Sequence, residues 1–172
     1  MSKVLVVVDM QKDFISGSLG TKEAQAIVPA VEAKIRKKRE EGYVIVVTMD
    51  THGEDYLDTQ EGKRLPVEHC IKGSRGWELQ EEIAAAAGDC RRYEKETFGS
   101  KELVMELAKL RPEAIEFVGL CTDICVVSNV LCVKAWLPET PICVDSACCA
   151  GVTPQSHQAA LDTMASCQVE IL

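Results

Sequence analysis

Three residues with complementary chemistry, Asp9, Lys95 and Cys125, lie at or just beyond the ends of short β-branched runs. A cysteine reacts as its thiolate, and a nearby cation together with a helix N-terminus lowers the thiol pKa from about 8.5. A carboxylate close by can take the thiol proton and later deliver it to a leaving group. The three side chains together predict an activated nucleophile, in which Lys95 is expected to depress the pKa of Cys125.

Each of these residues also has an interpretation without chemistry. Asp9 can cap the turn after its strand, because aspartate often bonds to nearby backbone. A single lysine such as Lys95 is usually solvated, and a free cysteine such as Cys125 is usually a small core residue. Spacing alone therefore leaves both the catalytic and the structural interpretation open.

A second group of polar residues lies at the end of another apolar run and in the connection that follows it. Asp50 and His52 end the run, and His69 lies further along the same connection. One carboxylate and two imidazoles are sufficient to hold a divalent metal with open positions, and this set suits Zn²⁺, Mn²⁺ or Fe²⁺. Loop histidines are commonly just solvated, so both interpretations stay open here too.

The elements that would position these residues alternate along the chain, since apolar runs predict strands and amphipathic stretches predict helices. The predicted strands are Lys3–Asp9, Tyr43–Thr48, Arg91–Glu94, Ala114–Gly119, Pro141–Asp145 and Gln168–Leu172. The predicted helices are Ala24–Glu41, Glu78–Ala87, Ser100–Leu110, Thr122–Trp136 and Pro154–Ala165, with a loop over Met49–Trp77. This pattern predicts a three-layer α/β/α fold with a six-stranded, mostly parallel sheet, which binds ligands beyond the carboxyl ends of its strands.

Length and composition exclude several classes of protein. The chain has 172 residues, which is typical of one domain, here residues 1–172. Lys plus Arg number 19 and Asp plus Glu 27, and the net charge of −8 disfavours nucleic acid or a membrane as partner. No stretch is as long as a membrane span and no signal peptide is visible, so a cytoplasmic protein with reduced cysteines is expected. A small-molecule substrate fits this composition, and a homo-oligomer stays open.

Two motifs make the chain resemble a known family. Val7–Phe14 (VVDMQKDF) is similar to the opening motif VxDMQxDF of the isochorismatase-like cysteine hydrolases, and Gly119–Val126 (GLCTDICV) resembles their nucleophile motif GxxTDxCV. The resemblance spans essentially the whole chain. It implies that Asp9 is the general acid and base, Lys95 the electrostatic partner and Cys125 the nucleophile.

The same resemblance implies an oxyanion hole and an isochorismatase-like, Rossmann-like fold. The family has a cis peptide bond before the threonine of its nucleophile motif, which here is the bond between Leu120 and Cys121. The backbone N–H groups of Cys121 and Cys125 would then point at a developing oxyanion.

A third segment resembles the nicotinamidase branch of that family. Thr48–His52 (TMDTH), followed by His69–Ser74 (HCIKGS), is similar to the segment in which that branch holds a metal against the pyridine-type nitrogen of its substrate. The resemblance implies one divalent transition metal and a fourth ligand, because some members add a carboxylate at the position of Glu61. The implied ligands are Asp50, His52, His69 and Glu61.

The chain departs from the nicotinamidase pattern near the expected pocket. Pro66 stands where an aromatic residue is usual, and Glu96–Ser100 replaces an S-A-F segment after the lysine. The stacking wall of the pocket is then expected to rest on Phe14 together with Phe98 or Tyr56, and Leu120 is expected to line the same pocket.

Three functions fit these motifs. The first is hydrolysis of a small aromatic carboxamide, nicotinamide to nicotinate and ammonia, through a thioester on Cys125. The second is a related cysteine amidase acting on a ureido or carbamoyl substrate, in which the metal residues would be idle. The third is a non-catalytic binding domain of the same fold.

Overall fold

A parallel sheet forms the middle layer of the molecule. The computed structural model describes residues 2–172, and within them the strands are β1 (Lys3–Val8), β2 (Val44–Asp50), β3 (Arg91–Lys95), β4 (Ala114–Leu120), β5 (Ile142–Ala150) and β6 (Glu170–Ile171). Their order is β3-β2-β1-β4-β5-β6, and every neighbouring pair is parallel. The strand order switches between β1 and β4, which is where sheets of this kind bind ligands.

Helices cover both faces of the sheet. Within residues 2–172 they are α1 (Lys12–Ile15), α2 (Lys22–Glu40), α3 (Gln60–Arg64), α4 (Glu81–Ala87), α5 (Lys101–Leu110), α6 (Val127–Trp136) and α7 (Pro154–Ser166). α2 and α4 pack over one face, and α5, α6 and α7 lie over the other. Among these residues, no helix combines the length and the apolar character needed to cross a membrane.

The central strand β1 shows why the sheet is covered on both sides. Alternate side chains of a strand point to opposite faces, so Leu5 and Val7 join the core beneath α2, whereas Val4, Val6 and Val8 join the core beneath α6. All five are fully buried. A strand that is apolar at every position needs cover on both faces, which confirms the predicted three-layer fold.

Side-chain caps fix where two of the covering helices begin. Ser100 accepts a 3.1 Å hydrogen bond from the Leu103 N–H at the start of α5. Thr153 and Ser156 bond to each other's backbone at the start of α7, forming a capping box. These caps satisfy backbone N–H groups in the first turns of α5, which follows β3, and of α7, which follows β5.

Two strands extend further than the sequence pattern predicts. β5 runs to Ala150 instead of ending at Asp145, because its ladder to β4 shifts register after Phe117 and resumes where Gly119 pairs with Cys149. The small residues after Asp145 carry no clear strand signal, so the prediction stopped too early. β2 likewise runs to Asp50, which places that side chain on the sheet itself.

Two predicted segments contain more structure than expected. The loop of residues 49–77 includes a 3-10 turn, Tyr56–Asp58, and the short helix α3. The helix predicted over residues 122–136 begins as a π-turn, Thr122–Val126, and becomes α-helical only at α6. Both differences lie next to the predicted site residues.

Candidate active site

Three strands deliver the predicted triad to one edge of the sheet. Asp9 directly follows β1, Lys95 is the last residue of β3, and Cys125 lies in the π-turn after β4. Asp9 leaves its strand with a φ of 47°, yet its N–H still bonds to the Thr48 carbonyl on β2 at 3.2 Å. Because parallel strands end at the same edge, residues far apart in the chain meet here.

The nucleophile motif begins with a glycine for a steric reason. Gly119 has a φ of 122°, and a Cβ at this position would collide with the Val8 carbonyl on β1. Without a side chain, β4 stays paired with β1 up to the ends of both strands. The Leu120–Cys121 peptide bond that follows is cis, as the resemblance implies.

The Lys95 ammonium group lies at the centre of the triad. Its Nζ is 2.6 Å from Asp9 Oδ2 and 3.4 Å from Cys125 Sγ. It also donates a 3.0 Å hydrogen bond to the Thr97 carbonyl. Asp9 Oδ1 in turn accepts a 2.7 Å hydrogen bond from the Thr48 hydroxyl. All three members of the triad are buried, so their charges interact with little screening by water.

The protonation balance differs from the prediction for the cysteine. Burial, together with the negative charge of Asp9, raises the pKa of the Cys125 thiol well above its ordinary value. Lys95 does act to lower this pKa, as predicted, but burial and the negative charge of Asp9 outweigh it.

The other two members of the triad form the charged pair of the resting site. Burial raises the pKa of Asp9. Burial opposes the charge of Lys95, but the adjacent Asp9 carboxylate raises the Lys95 pKa and keeps the ammonium protonated. The Cys125 sulfur therefore lies beside the Asp9–Lys95 pair, and the role of Asp9 as the base that takes the thiol proton stays a prediction.

The four predicted metal ligands also come together. One possible ligand atom from each of Asp50, His52, Glu61 and His69 lies within 4.8 Å of the others. Asp50 Oδ2 is 2.9 Å from His52 Nε2 and 3.3 Å from His69 Nε2. Glu61 Oε1 is 3.7 Å from both of these nitrogens. Two imidazoles and two carboxylates gathered in this way could hold a transition metal ion.

Asp50 belongs to both groups of residues. Its Oδ1 lies 3.3 Å from Lys95 Nζ, while its Oδ2 faces the two imidazoles. Burial acts to raise the pKa of Asp50, but hydrogen bonds from His52 and His69 hold it well below its usual range. Burial and the charge of Asp50 raise the pKa of Glu61. The triad and the ligand cluster therefore share one ionised carboxylate.

Aromatic rings support the two histidines of the cluster. The Tyr56 ring is fully buried and lies 4.8 Å from the His52 ring and 4.9 Å from the His69 ring. Its hydroxyl donates a 2.9 Å hydrogen bond to the Leu65 carbonyl, and burial raises the pKa of Tyr56 to about 12. The Phe14 ring lies 5.6 Å from the His69 ring. Both imidazoles are thus held in place by packing as well as by Asp50.

The predicted pocket residues lie in three different environments. Phe14 is 9% exposed and contacts the ligand cluster through His69. Leu120 is fully buried in the core beneath α2, whereas Phe98 is 42% exposed. The carbonyl of Phe98 accepts a 3.1 Å hydrogen bond from Asn129, which ties its loop to α6. The roles of these residues in a pocket, like the oxyanion hole at Cys121 and Cys125, stay predictions.

Gln11 is a residue that the sequence reasoning did not single out. It is fully buried, and its Oε1 accepts a 2.8 Å hydrogen bond from the Asp50 N–H. Its Nε2 donates 2.8 Å hydrogen bonds to the carbonyls of Asp50 and Trp77. The amide thus pairs with β2 beyond the end of β1, as a peptide group of a neighbouring strand would. A signal was present, because a glutamine in a motif that leads into the core needs buried partners.

Asp13 supports the second end of the cluster in a similar way. Its Oδ2 accepts a 2.8 Å hydrogen bond from the N–H of Cys70, the residue after His69. Cys70 has a φ of 48°, a conformation that is uncommon for a non-glycine residue. The opening motif therefore holds backbone on both sides of the cluster, through Gln11 and Asp13.

The strand order and the residues at its switch point are those of a hydrolase with an isochorismatase-like α/β fold. The Isochorismatase domain family matches residues 3–172, so this chain belongs to that family and is an isochorismatase-family hydrolase. No curated protein sequence matches the chain.

Solved structures similar to this chain include amidases that act on different substrates. The pyrazinamidase/nicotinamidase of Streptococcus mutans is 26% identical with a TM-score of 0.87, covering 99% of this chain and 100% of that one. The pyrazinamidase of Pyrococcus horikoshii, solved in complex with zinc, is 27% identical with a TM-score of 0.84, covering 100% and 99%. The N-carbamoylsarcosine amidase of Thermoplasma acidophilum is 27% identical with a TM-score of 0.79, covering 99% and 95%.

Proposed function

We propose that this chain hydrolyses a small aromatic carboxamide, nicotinamide to nicotinate and ammonia, through a thioester on Cys125. The observation that carries the proposal is the cluster of four possible metal ligands directly beside the triad, joined to it through Asp50. A nucleophile next to a site for a ring nitrogen fits a substrate that carries both a carboxamide and a pyridine-type ring. The likeness to nicotinamidase and pyrazinamidase structures supports the same assignment.

The first half of the proposed reaction forms the thioester. Asp9 takes the proton of the Cys125 thiol, and the sulfur attacks the carboxamide carbon to form the new C–S bond. The backbone N–H groups of Cys121 and Cys125 stabilise the negative charge that develops on the carbonyl oxygen. Asp9 then returns its proton to the amide nitrogen, the C–N bond breaks, and ammonia leaves.

The second half releases the acid and restores the site. Asp9 takes a proton from water, and the resulting hydroxide attacks the thioester carbon. The C–S bond breaks, and the proton on Asp9 returns to the Cys125 sulfur. Lys95 stays protonated throughout and stabilises the negative charge as it moves between the carboxylate and the sulfur, which lie 2.6 Å and 3.4 Å from its Nζ.

The ligand cluster has the donor set for one divalent transition metal. Asp50, His52, His69 and Glu61 would hold Zn²⁺, Mn²⁺ or Fe²⁺, since imidazole and carboxylate groups suit these ions. When bound, the metal would supply a Lewis-acid contact for the ring nitrogen of the substrate. The chain's own part is to keep the four side chains close to one another and beside the Phe14 ring.

A second candidate is an amidase for a ureido or carbamoyl substrate. The observation that favours it is the likeness to N-carbamoylsarcosine amidase, which is as similar in sequence as the zinc-bound pyrazinamidase. In that case the triad would carry the reaction and the ligand cluster would have no part in it.

Ammonia release from matched substrates tests the proposal against this alternative. We expect nicotinamide and pyrazinamide to be hydrolysed, and benzamide, which lacks the ring nitrogen, to react at least about tenfold more slowly in kcat/KM. A chelator should abolish the hydrolysis of nicotinamide, and added Zn²⁺ or Mn²⁺ should restore it. Hydrolysis of an N-carbamoyl amino acid with no response to chelator, and none of nicotinamide, would replace the first candidate by the second.

A further inference from the structure

The first two residues of the π-turn that carries Cys125 are both bonded to the segment around the start of α7. Thr122 is fully buried, and its Oγ1 is 2.7 Å from Nδ1 of His157. Asp123 Oδ1 accepts a 3.1 Å hydrogen bond from the Val152 N–H. Neither Thr122 nor Asp123 takes part in the proposed chemistry, although both belong to the motif that carries the nucleophile.

His157 is the histidine that lies outside the ligand cluster, and its place in the fold is tightly fixed. A Cβ at Gly151 would lie 2.8 Å from the backbone nitrogen of His157, so the end of β5 approaches α7 closely. The capping box of Thr153 and Ser156 holds the start of the same helix. The imidazole therefore reaches Thr122 from a helix that has little freedom to shift.

We propose that His157 is a positioning residue for Cys125 and acts through its hydrogen bond to Thr122. Thr122 and Cys125 share the short turn Thr122–Val126, so a fixed first residue limits where the sulfur can lie. The sulfur must stay within reach of Lys95, 3.4 Å away, and a shift of about 1 Å in a reacting group can lower a rate about 100-fold. The inference rests on the proposed role of Cys125 as nucleophile.

Loss of the Thr122–His157 hydrogen bond should disturb the turn that carries Cys125. Thr122 is fully buried, so water cannot replace His157 as the partner of its hydroxyl. A buried hydroxyl that loses its partner lowers the stability of the folded protein by more than the net contribution of the hydrogen bond. The turn would therefore move until the hydroxyl found another partner. A surface hydroxyl would simply bond to water and leave the turn in place.

Two substitutions with conservative counterparts test the contact. Thr122→Val keeps the shape of the side chain and removes its hydroxyl, whereas Thr122→Ser keeps the hydroxyl. His157→Leu removes the ring nitrogens, whereas His157→Asn keeps a polar group near the position of Nδ1. Thr163→Val is the matched control, because Thr163 is an exposed residue of α7 whose hydroxyl bonds to the Ala159 carbonyl of its own helix.

The readouts separate positioning from stability. We expect Thr122→Val and His157→Leu each to lower kcat for nicotinamide about tenfold or more, with KM and metal content unchanged. Site-resolved mass spectrometry should show a parallel fall in the rate at which iodoacetamide alkylates Cys125. Thr122→Ser, His157→Asn and Thr163→Val should stay within about threefold of the unmodified protein. The double variant should lose no more than either single variant, because both changes break one contact.

Two results would overturn the inference. Variants that lower the unfolding temperature but leave kcat and the alkylation rate of Cys125 unchanged would show a purely structural bond. Losses that add in the double variant would show that Thr122 and His157 act separately. Failure of the proposed function is a different result, since the unmodified protein would then release no ammonia from nicotinamide. The alkylation rate of Cys125 would still report on Thr122 and His157 in that case.

Discussion

The triad and the ligand cluster lie side by side, but the fold holds them in different ways. Asp9 and Lys95 lie at the ends of β1 and β3, where backbone hydrogen bonds to Thr48 and Thr51 fix them, and Cys125 lies in the turn after β4. Of the cluster, only Asp50 lies on a strand, whereas Glu61 and His69 come from the long connection between β2 and α4. The sheet therefore places Asp9 and Lys95 and the turn after β4 adds Cys125, whereas the proposed metal ligands also need side-chain clamps from the opening motif.

This difference teaches that the two halves of the site are separable. A triad built on strand ends survives changes in the connection that follows β2, since none of its members lies there. The cluster depends on packing by Tyr56 and on the hydrogen bonds that Gln11 and Asp13 accept from the backbone N–H groups of Asp50 and Cys70. Under the proposed function, changes in the connection would alter the choice of substrate and leave the reaction at Cys125 in place.

The largest effect should follow from changes in the triad. Cys125→Ala, Asp9→Asn and Lys95→Met should each lower kcat/KM by at least about 1000-fold, because the three side chains act as one unit. The double variant Asp9→Asn with Cys125→Ala should cost no more than the single ones. Metal content, measured by elemental analysis, should stay at the level of the unmodified protein. Loss of metal in Cys125→Ala would show that the two halves are not separable.

Changes in the ligand cluster should remove the metal but leave the reactivity of Cys125 unchanged. His52→Ala and His69→Ala should lose the bound metal and at least about 100-fold in kcat/KM for nicotinamide. Glu61→Gln should lower metal content and kcat/KM by less, because Glu61 Oε1 lies 3.7 Å from the imidazole nitrogens and its side chain is 20% exposed. Cys125 should still be alkylated by iodoacetamide at a similar rate.

That alkylation measurement needs a suitable background. Cys132 and Cys167 are exposed thiols, so both should be replaced by serine before the rate at Cys125 is measured. A clear fall in the Cys125 alkylation rate in His52→Ala would contradict the separation of the two halves.

Removal of the Gln11 clamp should have an intermediate effect. Gln11→Met keeps the volume but breaks the three hydrogen bonds of a buried amide, so the affinity for Zn²⁺ should fall about tenfold. The free energy of unfolding should fall by about 2 kcal/mol, because Asp50 and Trp77 lose partners inside the protein. Gln80→Met is the control, since Gln80 bonds to Glu82 at the surface. Equal metal affinity in the two variants would show that β2 holds Asp50 without help.

The smallest effect is expected at an ion cluster whose residues belong to neither half of the site. Lys34 on α2 lies 2.6 Å from Asp145 and 2.8 Å from Glu116. Burial acts to raise the pKa of Asp145, but the hydrogen bond from Lys34 lowers it. A carboxyl whose pKa falls on folding stabilises the protein above its unfolded pKa of about 3.9, and this contribution is lost as the pH falls through the folded value.

Asp145→Asn should therefore lower the free energy of unfolding by about 1 kcal/mol at pH 7 and by less below about pH 4. Urea unfolding at both pH values measures the difference, and Asp162→Asn on the exposed face of α7 is the control. Ammonia release should be unchanged in both variants. A difference that stays constant down to pH 3 would show that the charge of Asp145 is not what stabilises the cluster.

The sequence by itself determined the layers and the edge at which the site lies. The uniformly apolar run of β1 requires cover on both faces, and strands that alternate with helices require a parallel sheet. Asp9, Lys95 and Cys125 stand at strand ends, so the sheet brings them to one edge. These features are local in the chain, which is why periodicity and motif spacing were sufficient to predict them.

Tertiary structure alone decided the protonation of the site and the means by which the cluster is held. The Cys125 pKa depends on burial and on the net charge of its neighbours, and neither quantity can be read from spacing. The extension of β5 to Ala150 depends on a register shift against β4, and the partners of Gln11 and Thr122 lie far away in the chain. A sequence pattern records which side chains need partners, but only the packed chain decides which partners they meet.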